Sequence, residues 1–432
     1  MLERIETKEI TYYSFDLGTE VTHHVLIAHE NRKQVMLSYP NLFLYMHTRG
    51  ARGTSARYSI LIAMFYRFLS TLPEFKDVDI GLYHTLATNN NLKRWQVQRQ
   101  VERREKDSPS PTCETTLEDA KILLIFFRWI IESGYVTAVQ VTLKTAFPNF
   151  RNKKMLSYLD AKARVVIDGR NITVLERESR QRRKLSLISN REINLLAESY
   201  FDPVYSVMFK LALGTGMRPS ELCKFPFYGN GPNSHIAPQS EMRESETPTV
   251  KYKIIRSKGG KTRDIVINKA DLIELEHTYT NRYYRDRVKL YEKKYGKPCP
   301  PSILFLTRNG DPVCTNQISR RTVDAKKKAM AVDPSFREGI RFYDSRGWWP
   351  TMFLIKFFGE SLLTQSAEAL YAACAEAVRN QLGHEDLETT YRYYIDSAKI
   401  VMMAHQGKVN ELVTAPDESV SAFLLRMDSG LW

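Results

Sequence analysis

The spacing of apolar residues changes along the chain and predicts elements of different types. β-branched and aromatic residues at 11–17 and 24–29 predict strands, and residues 42–47 predict the start of a helix. From 55 to 72 the apolar positions recur every three or four residues, which predicts a helix. Residues 1–50 are therefore predicted to form either a small arm or an accessory β-hairpin packed on the next domain.

A helical region follows, and one of its segments is strongly basic. Residues 93–106 predict a helix with a basic face, which a loop rich in Ser and Pro ends. A long amphipathic helix is predicted to begin at Thr115 or Thr116 and to be closed by Gly134.

A connector is predicted over residues 148–184. It contains a strand-like piece at 165–174 and ends in a charged run at 177–184 that has no apolar residue. Such a run is typical of a solvated linker that can follow a phosphate backbone.

The second half of the chain predicts a mixed α/β domain that begins near Leu187. Ser189 or Asn190 can cap its first helix, and a second helix from Pro203 ends at the glycine turn 214–216. The predicted elements that follow are strands at 250–255 and 264–267 around a Gly-rich basic tip, a helix from 270, a short hairpin at 309–310 and a basic helix at 315–330.

These elements predict a fold that is mainly α with small β-sheets (α+β). A chain of 432 residues exceeds one typical core, so two or three domains are expected. In the tail, residues 419–427 predict a short amphipathic helix that must dock elsewhere, because it cannot bury its own apolar face. The predicted parts are a β-containing N-terminal arm or extension (1–50), a helical domain (51–176), a basic linker (177–186), a mixed α/β domain (187–407) and a C-terminal tail (408–432).

The charge balance indicates a polyanionic partner. The formal net charge is +14 and the isoelectric point is about 9.4, and nucleic acid is the commonest such partner. Charge alone leaves RNA and an anionic membrane surface open, and a charged helix face can also be merely solvated. The residues predicted to contact DNA are Arg94, Arg99, Arg103, Lys153, Arg182, Arg183, Lys261, Arg263, Arg320 and Arg321.

Composition argues against several other classes of protein. Apolar residues make up 43% of the chain, which is enough for it to fold, and the mean hydropathy is −0.38. No apolar run in the sequence is long enough to cross a bilayer. The N-terminus lacks the apolar region of a signal peptide, so a cytoplasmic, nucleoid-associated location is expected. The five cysteines are scattered and share no ligand spacing with the nine histidines, so no metal or other cofactor is predicted.

One segment near the C-terminus combines residues of catalytic type. In Gln-Leu-Gly-His-Glu-Asp-Leu-Glu-Thr-Thr-Tyr-Arg-Tyr-Tyr, residues 381–394, Gly383 can stop one helix and an aspartate can cap the next. Helical spacing places Tyr393 away from the packed face that carries Tyr391 and Tyr394. A tyrosine held near a histidine in this way can be a nucleophile. An ordinary helix with aromatic residues in a core would show the same local pattern.

Phosphodiester cleavage by a side chain needs more than a nucleophile. Cations must bind the non-bridging oxygens, an acid must protonate the leaving 5′ oxygen, and a group must accept the proton of the nucleophile. The planar fork of arginine suits the first task. Candidates of the required types occur in the order Arg218, Lys258, Arg346, His384 and Tyr393.

This ordered set resembles the catalytic boxes of the tyrosine recombinases, the phage integrase family. Arg218 lies in Gly-Met-Arg-Pro-Ser-Glu-Leu, Lys258 at the predicted hairpin tip, and the histidine lies nine positions before Tyr393. The resemblance implies that the two arginines and His384 bind the scissile phosphate and that Lys258 is the general acid. It also implies that Tyr393 attacks to form a 3′-phosphotyrosyl link, and that Glu221 orients Arg218.

The resemblance covers nearly all of the second domain, whereas the first half matches only in type. In the family, a helical core-binding domain and a catalytic domain form a clamp around duplex DNA. Four protomers then act on two duplexes through a Holliday junction, and a C-terminal helix docks on the neighbouring protomer. The resemblance therefore implies the same architecture and a homotetramer here.

One position departs from the family pattern. The box Tyr-Asp-Ser-Arg-Gly-Trp-Trp has Tyr343 where the family usually has a histidine, three positions before Arg346. Tyrosine is neutral with an ordinary pKa of about 10, so it is a poor general base at pH 7 but can hydrogen-bond a phosphate oxygen. The identity of the proton acceptor therefore stays open.

The predicted function is site-specific DNA recombination, with integration or excision of a mobile element as the expected biology. A type IB topoisomerase or a telomere resolvase would use related chemistry. A non-catalytic DNA-binding regulator, which Tyr343 would favour, and an RNA-binding protein are further alternatives. Target site, cleavage spacing, directionality, accessory factors and host are not specified by these motifs.

Overall fold

The chain separates into two compact units, residues 1–182 and 183–432, each with its own hydrophobic core. The described residues are mainly helical with small antiparallel sheets, which confirms the predicted α+β class. The structure is a computed structural model, which describes residues 2–30, 33–108, 110–146, 164–174, 187–243, 246–255, 257, 261–358, 378, 381–383, 398, 419–422 and 425.

The first unit begins with an antiparallel sheet. Its strands are β1 (Leu2–Ser14), β2 (Thr19–Glu30) and β3 (Lys33–Met36), in that order across the sheet. Leu26 and Ala28 of β2 are 0% exposed because they face the helices of the same unit. The sequence was compatible with either an arm or a packed hairpin. In the structure the described strands pack on the helices.

Helices make up most of the other described residues of the first unit. They are α1 (Ser38–Thr48), α2 (Arg52–Ser70), α3 (Tyr83–Leu86), α4 (Asn89–Glu105) and α5 (Cys113–Glu132).

The apolar stripe of α5 accounts for its place at the centre of this unit. Leu123, Phe126, Phe127 and Ile130 follow helical spacing, and each is 0% exposed. The helix begins two or three residues before the predicted start, because the hydroxyl of Thr112 caps it.

Part of the predicted connector belongs to the core of the first unit. Strand β4 (Thr142–Ala146) pairs antiparallel with β5 (Arg164–Asp168), and a 3-10 turn at Gly169–Ile172 follows. Ile172 is fully buried and its carbonyl accepts a hydrogen bond from Gln96 Nε2 at 2.8 Å. The strand-like piece predicted at 165–174 is therefore shorter than expected and is packed.

Two helices with strong N-terminal caps open the second unit. Ser189 and Glu192 form a capping box at α6 (Asn190–Ser199). Asp202 caps α7 (Pro203–Thr215), in which proline occupies the first position. The short α8 (Pro219–Leu222) follows a glycine turn.

A β-hairpin and one long helix come next. Strands β6 (Thr249–Ile254) and β7 (Arg263–Asn268) pair antiparallel, as the sequence predicts. Helix α9 (Lys269–Leu275) continues through a π-helical stretch, Glu276–Tyr284, into α10 (Arg285–Tyr295). The hairpin predicted at 309–310 is a tight turn closed by one isolated bridge, rather than a pair of strands.

Two more helices described in the second unit pack against α7. They are α11 (Thr315–Val332) and, after a 3-10 turn at Phe342–Asp344, α12 (Ser345–Phe358). Helix α7 packs against β7, α9, α11 and α12, so most of its side chains are buried. Burying each large apolar side chain stabilises the fold by about 1.5–3 kcal/mol.

A segment of the predicted tail also contacts the second unit. Val420 is 4% exposed in its core, and its backbone N–H donates to Asp271 Oδ1 of α9 at 3.1 Å. Ser421 Oγ donates to Glu274 Oε1 of the same helix at 2.5 Å. In this single chain the segment therefore docks on its own α9.

Helices of membrane-spanning length and hydropathy are absent from the residues that the structure describes.

Candidate active site

The first arginine box lies at the junction of α7 and α8. α7 ends at Thr215, and Gly216 follows in the left-handed region with φ +66°. A Cβ at this position would lie 2.7 Å from Leu382 Cδ2, so backbone conformation and packing both require glycine. Arg218 then precedes α8, and its backbone N–H donates to Glu221 Oε2 at 2.8 Å. The box therefore ends one helix and starts the next.

A buried carboxylate is the centre of the polar network around Arg218. Glu221 accepts one hydrogen bond from Arg218 Nη1 and two from Arg263, each at 2.8 Å. The Ser257 hydroxyl donates to the same carboxylate. Burial by itself would raise the pKa of this carboxyl, but hydrogen bonds from Arg263, the Arg218 backbone and Ser257 outweigh burial and lower the pKa to about 2. Glu221 is therefore ionised at neutral pH.

Three guanidiniums converge on the turn at residues 381–383. Its consecutive backbone carbonyls accept, in order, from Arg263 Nε at 3.0 Å, from Arg346 Nη2, and from Arg218 Nη2 at 3.4 Å. Carbonyls at the end of a helix have no partner within the helix, so they are natural acceptors for cationic donors. Because His384 is the next residue, both arginine boxes are tied to the chain that leads into it.

The residues of this turn also fix its position. Gly383 has φ +63°, and a Cβ there would lie 2.8 Å from Arg263 Cδ. The side chain of Gln381 accepts from Val266 N–H at 3.0 Å and donates to the carbonyls of Val266 and Thr215. The turn is therefore joined to β7 on one side and to the end of α7 on the other.

The two predicted phosphate-binding arginines differ in exposure. The Arg218 side chain is 16% exposed, whereas Arg346 is only 2% exposed and also donates to the carbonyl of Gly216. Tyr343 lies in the 3-10 turn before α12 and is 53% exposed. In this geometry Arg218 is the more accessible cation, while Arg346 joins two turns of the chain.

Three of the predicted catalytic residues, Lys258, His384 and Tyr393, lie outside the described residues. Ser257, the chain neighbour of Lys258, belongs to the Glu221 network. The described positions thus stop one residue short of both Lys258 and His384.

Several of the predicted DNA-contacting residues have internal partners. Arg99 is ion-paired with Asp119 at 2.8 Å, and its guanidinium lies over the Trp95 ring, which leaves its side chain 12% exposed. The Arg263 side chain is 9% exposed because of the bonds described above. The low exposure of these two side chains leaves little of either guanidinium accessible to DNA.

Other predicted DNA-contacting residues are more accessible. Arg94 is 46% exposed and pairs with Glu74, and Arg103 donates to a backbone carbonyl, that of Pro111. Arg320, Arg321 and Lys261 are exposed, although Arg321 pairs with Asp324 at 3.0 Å. Lys153, Arg182 and Arg183 lie outside the described residues.

Reasoning from the sequence missed the parts played by Ser257 and Gln381. Ser257 is the chain neighbour of Lys258 and Gln381 lies three positions before His384, and that closeness in sequence was the available signal. Ser257 accepts from Arg218 and Arg263, each at 3.3 Å, while it donates to Glu221. A neutral hydroxyl and a neutral amide do not stand out in a search for charged residues.

The chemistry of this arrangement is that of an anion-binding site. Guanidiniums gathered at one turn can replace backbone carbonyls with the oxygens of a phosphate, for which their fork geometry is suited. No group of His, Cys, Asp and Glu residues with metal-binding geometry occurs among the described residues.

Comparison with known proteins gives matches to solved structures. The chain is similar to the XerH site-specific recombinase bound to palindromic difH substrate, with a TM-score of 0.45 and 14% identity over 82% of this chain and 79% of that chain. It is similar to a lambda integrase dimer bound to a COC′ core site, with a TM-score of 0.44 and 16% identity over 83% of this chain and 95% of that chain. It is also similar to a lambda integrase tetramer bound to a Holliday junction, with a TM-score of 0.41 and 16% identity over 82% of this chain and 76% of that chain.

No protein-family model and no curated protein matches the chain. The three TM-scores are below 0.5, and the function proposed below is derived from the side chains of this chain.

Proposed function

We propose that this protein is a site-specific DNA recombinase of the tyrosine type. The observation that carries the proposal is the convergence of Arg218 and Arg346 on the turn that leads into His384. Arg218 and its acceptor at Gly383 are 165 positions apart, so residues of separate motifs come within hydrogen-bonding distance. Assembly of one phosphate-binding site from separate boxes is what the recombinase mechanism requires.

In the first step the arginines bind the scissile phosphate. Arg218 offers a partly exposed guanidinium that Glu221 holds in place. Arg346 reaches a phosphate oxygen by exchanging one of its bonds to the carbonyls of Gly216 and Leu382. Their positive charge stabilises the negative charge that accumulates on the non-bridging oxygens in the transition state.

Cleavage then exchanges one ester bond for another. The phenolic oxygen of Tyr393 forms a bond to phosphorus while the bond from phosphorus to the 5′ oxygen breaks. Lys258 donates a proton to the leaving 5′ oxygen, and the phenol proton passes to His384 or to solvent, since a tyrosine at 343 is a poor base. Attack by the 5′ hydroxyl of a partner strand reverses the step, so the phosphodiester is restored without ATP.

The proposed partners are duplex DNA and other copies of the same chain. Four protomers on two duplexes would exchange strands in pairs through a Holliday junction and so integrate or excise a mobile element at the nucleoid. The Val420 segment docks on its own α9 in this chain. Exchange between protomers would place the same segment against α9 of a neighbour, with the same contacts.

Other functions predict different products. A type IB topoisomerase or a telomere resolvase shares the cleavage chemistry, so only strand joining between two separate duplexes distinguishes a recombinase. A non-catalytic regulator is favoured by Tyr343 in place of histidine and by the burial of Arg346. Such a protein binds duplex DNA without forming a covalent bond.

The decisive experiment is a covalent trap. The full-length protein is incubated with nicked duplex fragments from the flanks of its own gene and denatured in SDS, and DNA-linked protein is located by gel and mass spectrometry. We expect an adduct at Tyr393 that is lost in Tyr393→Phe but retained in Tyr391→Phe. The retained adduct is the matched control, because Tyr391 is a neighbouring tyrosine outside the proposed roles.

Two outcomes would count against the proposal. An adduct at a different residue would remove Tyr393 from the mechanism. Tight duplex binding with no adduct on any flank would support the regulator instead.

A further inference from the structure

Arg263 holds together segments that carry different catalytic residues, although its charge had suggested a DNA contact. Its guanidinium donates to both oxygens of Glu221, to the Ser257 hydroxyl and to the Gln381 carbonyl. We propose that Arg263 is a positioning residue that sets the guanidinium of Arg218 for the scissile phosphate. This inference rests on the function proposed above.

Arg218 and Arg263 share two hydrogen-bond acceptors. Both donate to Glu221 Oε1 at 2.8 Å, and both donate to Ser257 Oγ at 3.3 Å. Arg263 also bonds Glu221 Oε2 at 2.8 Å, so its fork takes the carboxylate in the bidentate geometry that carboxylates favour. Arg218 is left with a single side-chain bond to this carboxylate and keeps other donors for a substrate.

Removal of Arg263 would change the position of Arg218. Each oxygen of Glu221 would lose one donor, and the buried carboxylate would draw in the remaining guanidinium to recover its hydrogen bonds. Arg218 would then turn toward Glu221 and away from the phosphate. A displacement of about 1 Å at a catalytic group can reduce the rate by about 100-fold.

The surroundings of Arg263 support an internal role. Its side chain is 9% exposed, and its Cδ lies against Gly383, where a Cβ would approach to 2.8 Å. Its Nε bond to Gln381 anchors it on the same turn that receives Arg218. Lysine cannot reproduce this set of bonds, because an ammonium is a point charge without a planar fork.

The test compares two DNA substrates that differ at the scissile phosphate. The cleavage site from the trapping experiment is synthesised with an ordinary phosphodiester and with a methylphosphonate, in which a methyl group replaces one charged oxygen. A neutral methylphosphonate depends less on a guanidinium, so cleavage by Arg218→Ala should be partly restored on it. Strand cleavage is measured under single-turnover conditions with the full-length protein.

We expect Arg263→Gln to follow the pattern of Arg218→Ala. Its cleavage rate on the phosphodiester should fall by about 100-fold. On the methylphosphonate, the ratio of the wild-type cleavage rate to the variant cleavage rate should be smaller than on the phosphodiester by at least about tenfold. Arg263→Lys should show the same substrate preference, and it keeps the test available if the glutamine variant does not fold.

Arg287→Gln is the matched control. Arg287 is a buried arginine of the same unit, 6% exposed and paired with Asp202 at 2.6 Å, and it donates to the carbonyl of Leu306 rather than to one in the 381–383 turn. We expect Arg287→Gln to lower the thermal midpoint without any preference for the methylphosphonate.

The outcomes separate this inference from the proposed function. An equal loss on both substrates for Arg263→Gln and Arg263→Lys, or the same substrate preference in Arg287→Gln, would overturn the positioning role alone. Failure of the wild type to cleave either substrate would overturn the proposed function, and the positioning role with it.

Discussion

At the scale of single residues, Glu221 decides the geometry of the site. It is 4% exposed and accepts hydrogen bonds from two guanidiniums and one hydroxyl. A buried carboxylate with so many charge-assisted donors is stable only while it is ionised. The motif suggested a residue that merely orients Arg218, whereas the structure makes it the common acceptor of Arg218 and Arg263.

Replacement of this carboxylate should destabilise the fold and remove a pH dependence. Because the folded pKa of Glu221 is lowered from 4.5 to about 2, its stabilising contribution is present above about pH 4.5 and is lost as pH falls toward 2. We expect Glu221→Gln to lower the free energy of unfolding at pH 7 by about 3–5 kcal/mol, since it leaves buried guanidiniums unpaired. The variant should also lose less stability than wild type between pH 5 and pH 3.

Denaturant unfolding at these pH values provides the measurement. Glu198→Gln, at an exposed position on α6, is the control and should change stability by no more than about 0.5 kcal/mol. Identical pH profiles for Glu221→Gln and wild type would show that the network does not hold this carboxylate in its ionised form.

At the scale of elements, the C-terminal segment meets α9 at a buried carboxyl group. Asp271 is 8% exposed, and its Oδ1 accepts from the backbone N–H of Val420. Its other oxygen lies where a Cβ on Gly214 would be 2.3 Å away, so a larger residue at that turn of α7 would displace the Asp271 carboxylate. The groups that face this site are Glu274, its ion-pair partner Lys210, and Ser421.

The raised pKa of the Asp271 carboxyl group predicts that stability depends on pH. Burial raises the pKa of Asp271 from 3.8 to about 7, the bond from Val420 N–H opposes the rise, and the nearby Glu274 adds to it. A group whose folded pKa is raised contributes stability that is complete below about pH 4 and is lost as pH rises through about 7. The docked segment should therefore loosen in mildly alkaline solution.

Asp271→Asn should remove this dependence, because an amide keeps the acceptor for Val420 and carries no charge. We expect the variant to match wild type near pH 4 and to be more stable at pH 8, by up to about 4 kcal/mol. Thermal unfolding across this range, with hydrogen exchange of the Val420 amide, measures the effect. A wild-type advantage at pH 8 would mean that the ionised carboxylate is the docked form.

At the scale of the whole molecule, the net charge of +14 must be divided between residues that face solvent and residues that have internal partners. Arg320 lies on the exposed face of α11, whereas Arg99 is held by Asp119 and Trp95. The two were equivalent as candidates for DNA contact. Burial makes them different, and the difference can be measured.

Salt dependence of DNA binding distinguishes the two positions. Each phosphate that a side chain neutralises adds about 0.9 to the slope of log affinity against log salt. We expect Arg320→Ala to reduce the slope by about this amount and Arg99→Gln to leave it unchanged while lowering the thermal midpoint. Fluorescence anisotropy with a duplex at several salt concentrations gives the slope. Equal slopes for Arg320→Ala and wild type would remove Arg320 from the interface.

Much of the fold was predictable because its signals are local. The helical period of α5, the capping box at Ser189 and the left-handed glycine at 216 each depend on residues within a turn or two of one another. The errors were local too: α5 starts at the Thr112 cap, and the strand predicted at 165–174 gives way to a 3-10 turn. Sequence thus determined the types and order of the elements, and the order of the candidate catalytic residues.

Tertiary structure decided which side chains meet. Arg263 joins Glu221, 42 positions away, and Gln381, 118 positions away, and no periodicity in the sequence reports such distances. The hydroxyl of Ser257 and the amide of Gln381 gained their roles in the same way. Charge marked Arg99 and Arg263 as DNA contacts, but the path of the chain placed each beside an internal carboxylate. Whether an arginine meets a phosphate or a carboxylate depends on atoms far apart in sequence, and only folding brings them together.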